Sequence, residues 1–392
     1  MRFFLLSFFT VYSLVHVYVF LKAQAALSFS IRTGISLIIA MMVMVTAPIL
    51  VRILENHQFY SSARLMSYTG YVWMGIIAIF FCVFLLLDLY HILISGLEFF
   101  VKTDLRRFIL SPRLSFILTL IISLSISIYG YFEALAIKTE HIIVTSPKIP
   151  KNPVKLRIVQ ISDVHIGLIV RHNRLTRILK KVKESEPDIL VATGDIVDGQ
   201  INRLQGLAEL FHEVQPKYGK YAIPGNHEYY AGFSQAMEFI RNAGFTVLRD
   251  ESITIGGIIT LVGSDDQTAE RFNSSKRISE KELLSHVPQD KFILFLKHRP
   301  LVNYSSTPFF DLQLSGHTHK GQIFPFSLIT NALYPTDGGI LELPHQSFIY
   351  VSRGSGTWGP PIRFLSRPEV TVIDLVYDPE KTSISEARKG GR

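Results

Sequence analysis

Leu156-Arg-Ile-Val-Gln-Ile-Ser-Asp-Val-His165 is the stretch on which the reading of this 392-residue chain turns. Leu156 to Ile161 is apolar and carries β-branched residues, as a buried strand does. It runs straight into Asp163 and His165, two side chains that ligate divalent cations. Residues two apart on an extended backbone point to the same side, so this pair can serve one centre. Four more polar motifs follow: Gly194-Asp195, Gly225-Asn-His-Glu228, His298-Arg-Pro300 and Gly316-His-Thr-His319. Alone, each is weak, because an Asp at a strand end often just closes a turn and a lone His is often structural. Together they supply a set of Asp, His and Asn ligands at the ends of apolar runs, which is what a two-metal hydrolytic site on strand-end loops requires.

Composition divides the chain in two. Hydrophobic residues make up 48% of the sequence, high for a soluble enzyme, and they concentrate before about residue 136. Charge-free runs at 3–21, 33–51, 65–87 and 114–132 are each roughly 19 residues or longer, enough to cross a ~30 Å hydrocarbon core as a helix. Charges bracket every run: Arg2 and Lys22, Arg32 and Arg52, Arg64 and Asp88, Arg113 and Glu133. Residues 1–136 are therefore expected to hold about four membrane spans. Ala23-Gln-Ala25 gives the first run a rival reading as a cleaved signal, but the run is longer than a signal core, which favours an uncleaved span. Lys22, Arg32, Lys102, Arg106, Arg107 and Arg113 outnumber Arg2, Arg52, Arg64, Lys138 and Lys148 on the alternate loops. By the positive-inside rule the second half then lies on the extracytoplasmic side of a plasma (inner) membrane. Asp88, His91 and His16, in or beside the runs, read as interfacial or packing residues.

The single cysteine, Cys82, excludes an internal disulfide and a thiolate metal site. The net charge of +8 suits an anionic substrate or an anionic membrane surface. No basic stripe interleaved with aromatics and no zinc-finger spacing accompanies it, so nucleic acid is not an expected partner, and no protein partner is inferable. Residues 137–153, ending in a proline-rich stretch, read as a stiff linker. From 154 to 384, strand-like and helix-like segments alternate with meanders, an α/β pattern that predicts two mixed β-sheets sandwiched between helices. Residues 385–392 read as a flexible basic tail.

The five motifs, in this order, resemble the calcineurin-like metallophosphoesterase family, whose pattern is D-x-H, G-D, G-N-H-[ED], H and G-H-x-H. The resemblance covers about 154–377. The apolar front half, Ser352-Arg-Gly-Ser-Gly356 and Arg367-Pro-Glu369 resemble its membrane-associated branch. The resemblance implies two divalent ions, manganese foremost with iron or zinc as alternatives. Asp163, His165 and His319 would hold one, Asn226, His298 and His317 the other, and Asp195 would bridge them. It also places His227 at the leaving oxygen, with Glu228 orienting it. Gly199 stands where phosphoprotein phosphatases carry Arg, which separates this chain from them. Arg171, Arg299 and Lys320 lie beside ligand motifs and are candidates for substrate phosphate. The implied activity is hydrolysis of a phosphodiester or pyrophosphate, on a lipid or lipid-linked sugar, similar to UDP-2,3-diacylglucosamine hydrolases. A nucleotide phosphodiesterase or nuclease is the second reading, and a non-catalytic membrane sensor the third. The apolar segment Gly321 to Thr330 reads as a loop at the site's edge.

Overall fold

The computed structural model describes residues 2–152, 155–199, 204, 206–272 and 278–386, with side chains from residue 5 onward. The chain forms two units: Met1–Phe132 with Gly359–Phe364, and Glu133–Trp358 with Leu365–Arg392.

The first unit is built on α1 (Arg2–Leu27), α2 (Ile31–Asn56), α3 (Tyr60–Val101) and α4 (Pro112–Leu135). All four are long and apolar enough to cross a membrane, and each contains one of the charge-free runs. Helices suit such runs because they satisfy every backbone group internally where no water is available. Ser30 caps α2, its hydroxyl accepting from Thr33 N at 3.4 Å. Tyr12, Val19, Ile77, Phe80 and Phe84 form a small core among these helices. Ala47 and Gly70 bring α2 and α3 together, since a Cβ added at Gly70 would lie 2.5 Å from the Ala47 Cβ. His16 and Asp88 are consumed in packing. Trp73 Nε1 donates to His16 Nε2 at 2.9 Å, so the His16 proton sits on Nδ1 and is given to Tyr12 O at 2.8 Å. Asp88 accepts from Tyr18 Oη at 2.6 Å and from Lys22 Nζ at 2.8 Å.

Among the described residues, the second unit carries thirteen strands: β1 (Lys138–Ser146), β2 (Lys155–Ile161), β3 (Ile189–Thr193), β4 (Lys220–Ile223), β5 (Thr246–Val247), β6 (Glu251–Ile255), β7 (Ile259–Gly263), β8 (Phe292–Leu296), β9 (Leu312–Ser315), β10 (Gly339–Leu343), β11 (Ser347–Val351), β12 (Glu369–Tyr377) and β13 (Ser383–Glu386). One sheet runs β13-β1-β12-β2-β3-β4-β5, the other β10-β11-β9-β8-β7-β6. Both are mixed: β2, β3, β4 and β5 run parallel, while β12 is antiparallel to β2. The inner faces of both sheets share one core, with Ile158, Ile189, Val191 and Ile223 meeting Leu261, Leu294, Leu296 and Leu314. On the outer face of the first sheet, α5 (His172–Glu184) buries Leu175, Ile178, Leu179 and Val182 and α6 (Asn226–Asn242) buries Met237 and Ile240. Leu283 and Leu284 cover the second sheet together with Phe310. The expected pair of mixed sheets between helices is present.

Two boundaries differ from the sequence reading. The segment taken as a linker, 137–153, holds β1, which pairs parallel with β12 along its whole length, Lys138 opposite Glu369 through Ser146 opposite Tyr377. Its Ile142-Ile-Val-Thr145 run is β-branched, and the prolines begin only at Pro147. The segment taken as a tail, 385–392, begins inside β13, where Ser385 pairs with Ile143 and Ile384 with Val144. A short polar strand finds its place there because β1 offers an open edge. Residues 387–392, and Pro153 and Val154 at the other boundary, lie outside the described residues.

Candidate metal centre

Parallel strands bring their carboxyl ends to one edge, and the five motifs follow β2, β3, β4, β8 and β9 there. The backbone turns sharply at the ligand positions. Asp163, His165, Asp195, His317 and His319 all have positive φ, between 50° and 72°. Non-glycine residues hold such angles only where their surroundings over-determine them, and such strain collects at functional sites. Asp163 and His165 thus share a side through a left-handed turn, where the sequence reading assumed an extended chain. Glycines in the motifs make room. A Cβ at Gly225 would lie 2.2 Å from Asp195 Oδ1, and one at Gly316 would lie 2.0 Å from Ser162 Oγ.

Two donor groups result. In the first, His165 Nε2 and His319 Nε2 are 3.1 Å apart, with Asp163 Oδ1 at 3.4 Å from His319 Nε2. In the second, His298 Nε2 lies 3.1 Å from Asp195 Oδ2, 3.3 Å from Asn226 Oδ1 and 3.2 Å from His317 Nδ1. Asp195 Oδ2 is also 3.9 Å from His165 Nε2, so this carboxylate faces both groups. Two imidazole nitrogens meeting lone pair to lone pair at 3.1 Å repel unless a proton or a cation lies between them, and Asp, His and Asn together suit first-row divalent ions. The donor set therefore fits a metal pair. His298 Nδ1 donates to Thr193 O at 2.8 Å, which leaves Nε2 as its ligand nitrogen.

Ionisation follows the same geometry. Burial lowers His165 to about 4 and His317 to about 3, with positive neighbours adding to the effect. Burial would also lower His298, but the Asp195 and Asp163 carboxylates outweigh it and raise the ring to about 10. Burial raises Asp163 to about 6. Burial opposes ionisation of Asp195 too, yet the surrounding His298, His227 and His165 hold it well below the usual carboxylate range. Without an ion, a proton on His298 offsets the Asp195 charge; a cation would displace that proton.

His227 stands beside this cluster, its ring centroid 4.6 Å from that of His165. Its backbone N donates to Asp195 Oδ1 at 2.8 Å, and its Nδ1 pairs with Asp198 Oδ1 at 2.9 Å. Asp198, not Glu228, orients this ring. Glu228 instead clamps the ligand loop: its carboxylate accepts from the backbone N of Asp195, Ile196, Val197 and Gly225 at 2.7–3.1 Å. The reason is local, because Glu228 is the third helical residue after Gly225 and reaches back as half of a capping box. Glu228→Ala would strand four buried N–H groups, each worth about 1–3 kcal/mol. The expected result is a large fall in melting temperature together with lost metal uptake, read by thermal unfolding and metal analysis. An unchanged melting temperature would contradict the clamp.

Of the three expected phosphate contacts, Arg299 is tied to the cluster, with Nη1 at 3.4 Å from His317 Nε2. Its Nε donates to the buried Asp266 at 2.9 Å. Lys320 follows His319 in a left-handed conformation and packs its stem 3.5 Å from where a Gly338 Cβ would stand. Arg171 immediately precedes α5, in the N-cap position. Sequence reasoning missed the roles of Asp198 and Asp266. For Asp198 a signal existed, in its place three residues after Asp195 in Gly-Asp-x-x-Asp; for Asp266 there was none. The Ser352–Gly356 motif braces the Asp163 turn: Ser355 N donates to Ser162 O at 2.7 Å and Gly356 N to Asp163 O at 2.9 Å, while Ser355 Oγ donates to Glu369 O at 2.7 Å. The buried Glu369 accepts from Tyr350 Oη at 2.8 Å and pairs with Arg353.

Comparison with known proteins agrees with this geometry. The calcineurin-like phosphoesterase profile matches residues 156–321. A metallophosphoesterase of Aquifex aeolicus (strain VF5) is 38% identical over 255 residues, covering 65% of this chain and 97% of its own length. A metallophosphoesterase of Helicobacter pylori (strain J99) is 31% identical, over 63% of this chain and 66% of its own. A Danio rerio protein named transmembrane protein with metallophosphoesterase domain is 33% identical, over 66% of this chain and 62% of its own. This chain thus spans about two thirds of the length of the last two. The Aquifex relative is matched over nearly its whole length, and the profile covers every ligand motif from Asp163 to His319. On that basis the chain belongs to the calcineurin-like metallophosphoesterases, a family of metal-dependent phosphoester hydrolases.

Proposed function

We propose that this protein is a membrane-anchored dimetal phosphoesterase that hydrolyses a phosphodiester or pyrophosphate bond of a lipid or lipid-linked sugar. The observation that carries the reading is a shared carboxylate, Asp195, between two converging donor groups with His227 alongside. Asp163, His165 and His319 would hold one ion, and Asn226, His298 and His317 the other. Bound divalent ions, manganese foremost, supply an acidified water and Lewis-acid stabilisation of the phosphoryl oxygens. The charges of the Asp195 and Asp198 carboxylates beside His227 govern its role. Burial alone would lower this ring, but the two carboxylates raise it to about 9, which favours its charged form. With Nδ1 taken by Asp198, Nε2 is the nitrogen left to protonate or hydrogen-bond the leaving oxygen. The intact donor set speaks against the sensor reading.

Arg299 gives the site a cation for a phosphoryl oxygen, and Asp266 fixes its angle. Arg299→Ala is expected to raise KM roughly tenfold or more, the worth of one charge-assisted hydrogen bond. Asp266→Asn should raise it less. Steady-state kinetics on bis-p-nitrophenyl phosphate checks both, and an unchanged KM in Arg299→Ala would remove it from the substrate site.

The lipid reading rests on the four membrane-length helices in the same chain, and the excess of Lys and Arg on the first and third loops favours a site on the extracytoplasmic side of the plasma membrane. The whole reading is tested with purified protein, Mn²⁺ and bis-p-nitrophenyl phosphate. Turnover that stops on chelation supports it; no turnover with Mn²⁺, iron or Zn²⁺ would favour the sensor. A panel of lipid pyrophosphates, nucleotides and DNA then separates the lipid substrate from a nucleotide phosphodiesterase. Active alkaline phosphatase fused after Arg392 would support the extracytoplasmic side.

A further inference from the structure

From Gly321 to Thr336 the chain carries no charged residue. The segment was expected to be a loop, but its second half is a short helix, Ser327–Leu333, none of whose residues is buried. Leu328, Ile329 and Leu333 are 62%, 56% and 67% exposed, and Phe324 and Phe326 just before them are also exposed. A seven-residue helix does not hold itself together in water. This one is pinned by Thr330 Oγ1 donating to Asp337 Oδ2 at 2.8 Å, while Asp337 O accepts from Thr318 Oγ1 at 2.7 Å. The result is an apolar plate mounted on the Gly316–His319 ligand loop.

The plate is continuous with the rim of the metal centre. Gln322 grips the Trp358 backbone from both sides, donating to its O at 2.8 Å and accepting from its N at 2.9 Å. The half-exposed Trp358 ring lies 5.8 Å from His227, and Tyr334, one residue beyond the helix, lies 5.9 Å from His317. Trp and Tyr are the side chains that settle at a membrane–water boundary, apolar body inward and polar edge outward.

A bilayer is the occupant the chain itself supplies. Only two residues separate α4, a membrane-length helix, from β1, the first strand of the catalytic unit. At full extension that link reaches about 10 Å, so the catalytic unit is held at the surface at high effective concentration. A plate of about five side chains is far smaller than the ~800 Å² per partner of a stable protein interface. For a tethered unit it suffices to lie among headgroups and acyl chains. We propose that Phe324, Phe326 and the Ser327–Leu333 helix rest in the bilayer interface and hold the acyl end of a membrane lipid there, with its phosphoester at the metal centre. This deepens, and rests on, the membrane-anchored part of the function proposed above.

The test uses the full chain in a Cys82→Ser background, reconstituted in phosphatidylcholine–phosphatidylglycerol vesicles. A polarity-sensitive dye is placed at Ile329→Cys, at Leu333→Cys, and at Lys180→Cys on the exposed face of α5 as a reference. Expected are blue-shifted emission at 329 and 333 and loss of that emission when doxyl-labelled lipids are included, with neither effect at 180. Emission at 329 and 333 matching that at 180, or efficient cross-linking of Ile329→Cys between two chains, would overturn the proposal. Turnover of bis-p-nitrophenyl phosphate by the protein without these labels reports on the metal centre separately. Turnover without quenching contradicts the plate alone; quenching without turnover contradicts the phosphoesterase reading alone.

Discussion

Asp195→Ala is expected to abolish phosphodiester hydrolysis while leaving the fold in place. The carboxylate is buried and used at both oxygens: Oδ2 faces His298 at 3.1 Å and His165 at 3.9 Å, and Oδ1 holds the His227 backbone N at 2.8 Å. Its loss removes the one donor common to both groups and leaves His298 without its counter-charge. A fall on the order of 10³-fold or more in kcat is expected, because charge stabilisation and nucleophile generation fail together. The fold survives because the Asp195 charge itself opposes ionisation of the neighbouring Asp163 and Glu228, so removing it relieves repulsion. Kinetics on bis-p-nitrophenyl phosphate with a thermal melt of the same sample checks this. Wild-type activity in the variant would remove Asp195 from the centre.

His227→Ala is expected to cut turnover by about 10²–10⁴-fold with metal content unchanged, the range of one positioned general acid. The loss depends on the leaving group. p-Nitrophenolate departs without a proton, so bis-p-nitrophenyl phosphate should lose less than an alkyl phosphodiester. Equal losses on both would assign His227 to binding instead. Asp198→Asn gives a second readout. The His227 imidazolium is present below its pKa and lost as pH rises through it; Asp195 and Asp198 hold that value up against burial. Removing the Asp198 charge lowers it, so the alkaline limb of the kcat profile moves to lower pH. A limb that stays put or moves up would contradict the Asp198–His227 pairing.

The residues of the donor groups were legible because ligand chemistry is local. Each is a short motif after an apolar run, and parallel pairing of β2, β3 and β4 does the rest by aligning strand ends. The four long helices were legible for a similar reason, since charge-free length is a one-dimensional property. What escaped depends on partners distant in sequence. β1 looks like a linker until β12 is placed beside it, and β13 is a strand only because β1 has an edge to offer. Glu228 was expected to serve the adjacent His227, yet its side chain folds back onto the Asp195 loop, as a capping residue's does. Asp266 gave no signal because its partner, Arg299, enters from another strand. The left-handed angles at Asp163 and His165 follow from the Gly316 and Gly356 approaches, which only the assembled turn reveals.

Asp195, facing both donor groups, is proposed to join two metal sites. Metal analysis of purified protein by inductively coupled plasma mass spectrometry, after growth with manganese, tests it most directly when wild type is set beside Asp195→Ala and His227→Ala. Wild type and His227→Ala should each carry about two ions per chain, and Asp195→Ala should lose at least one. One ion or fewer in wild type, or full loading in Asp195→Ala, would contradict it.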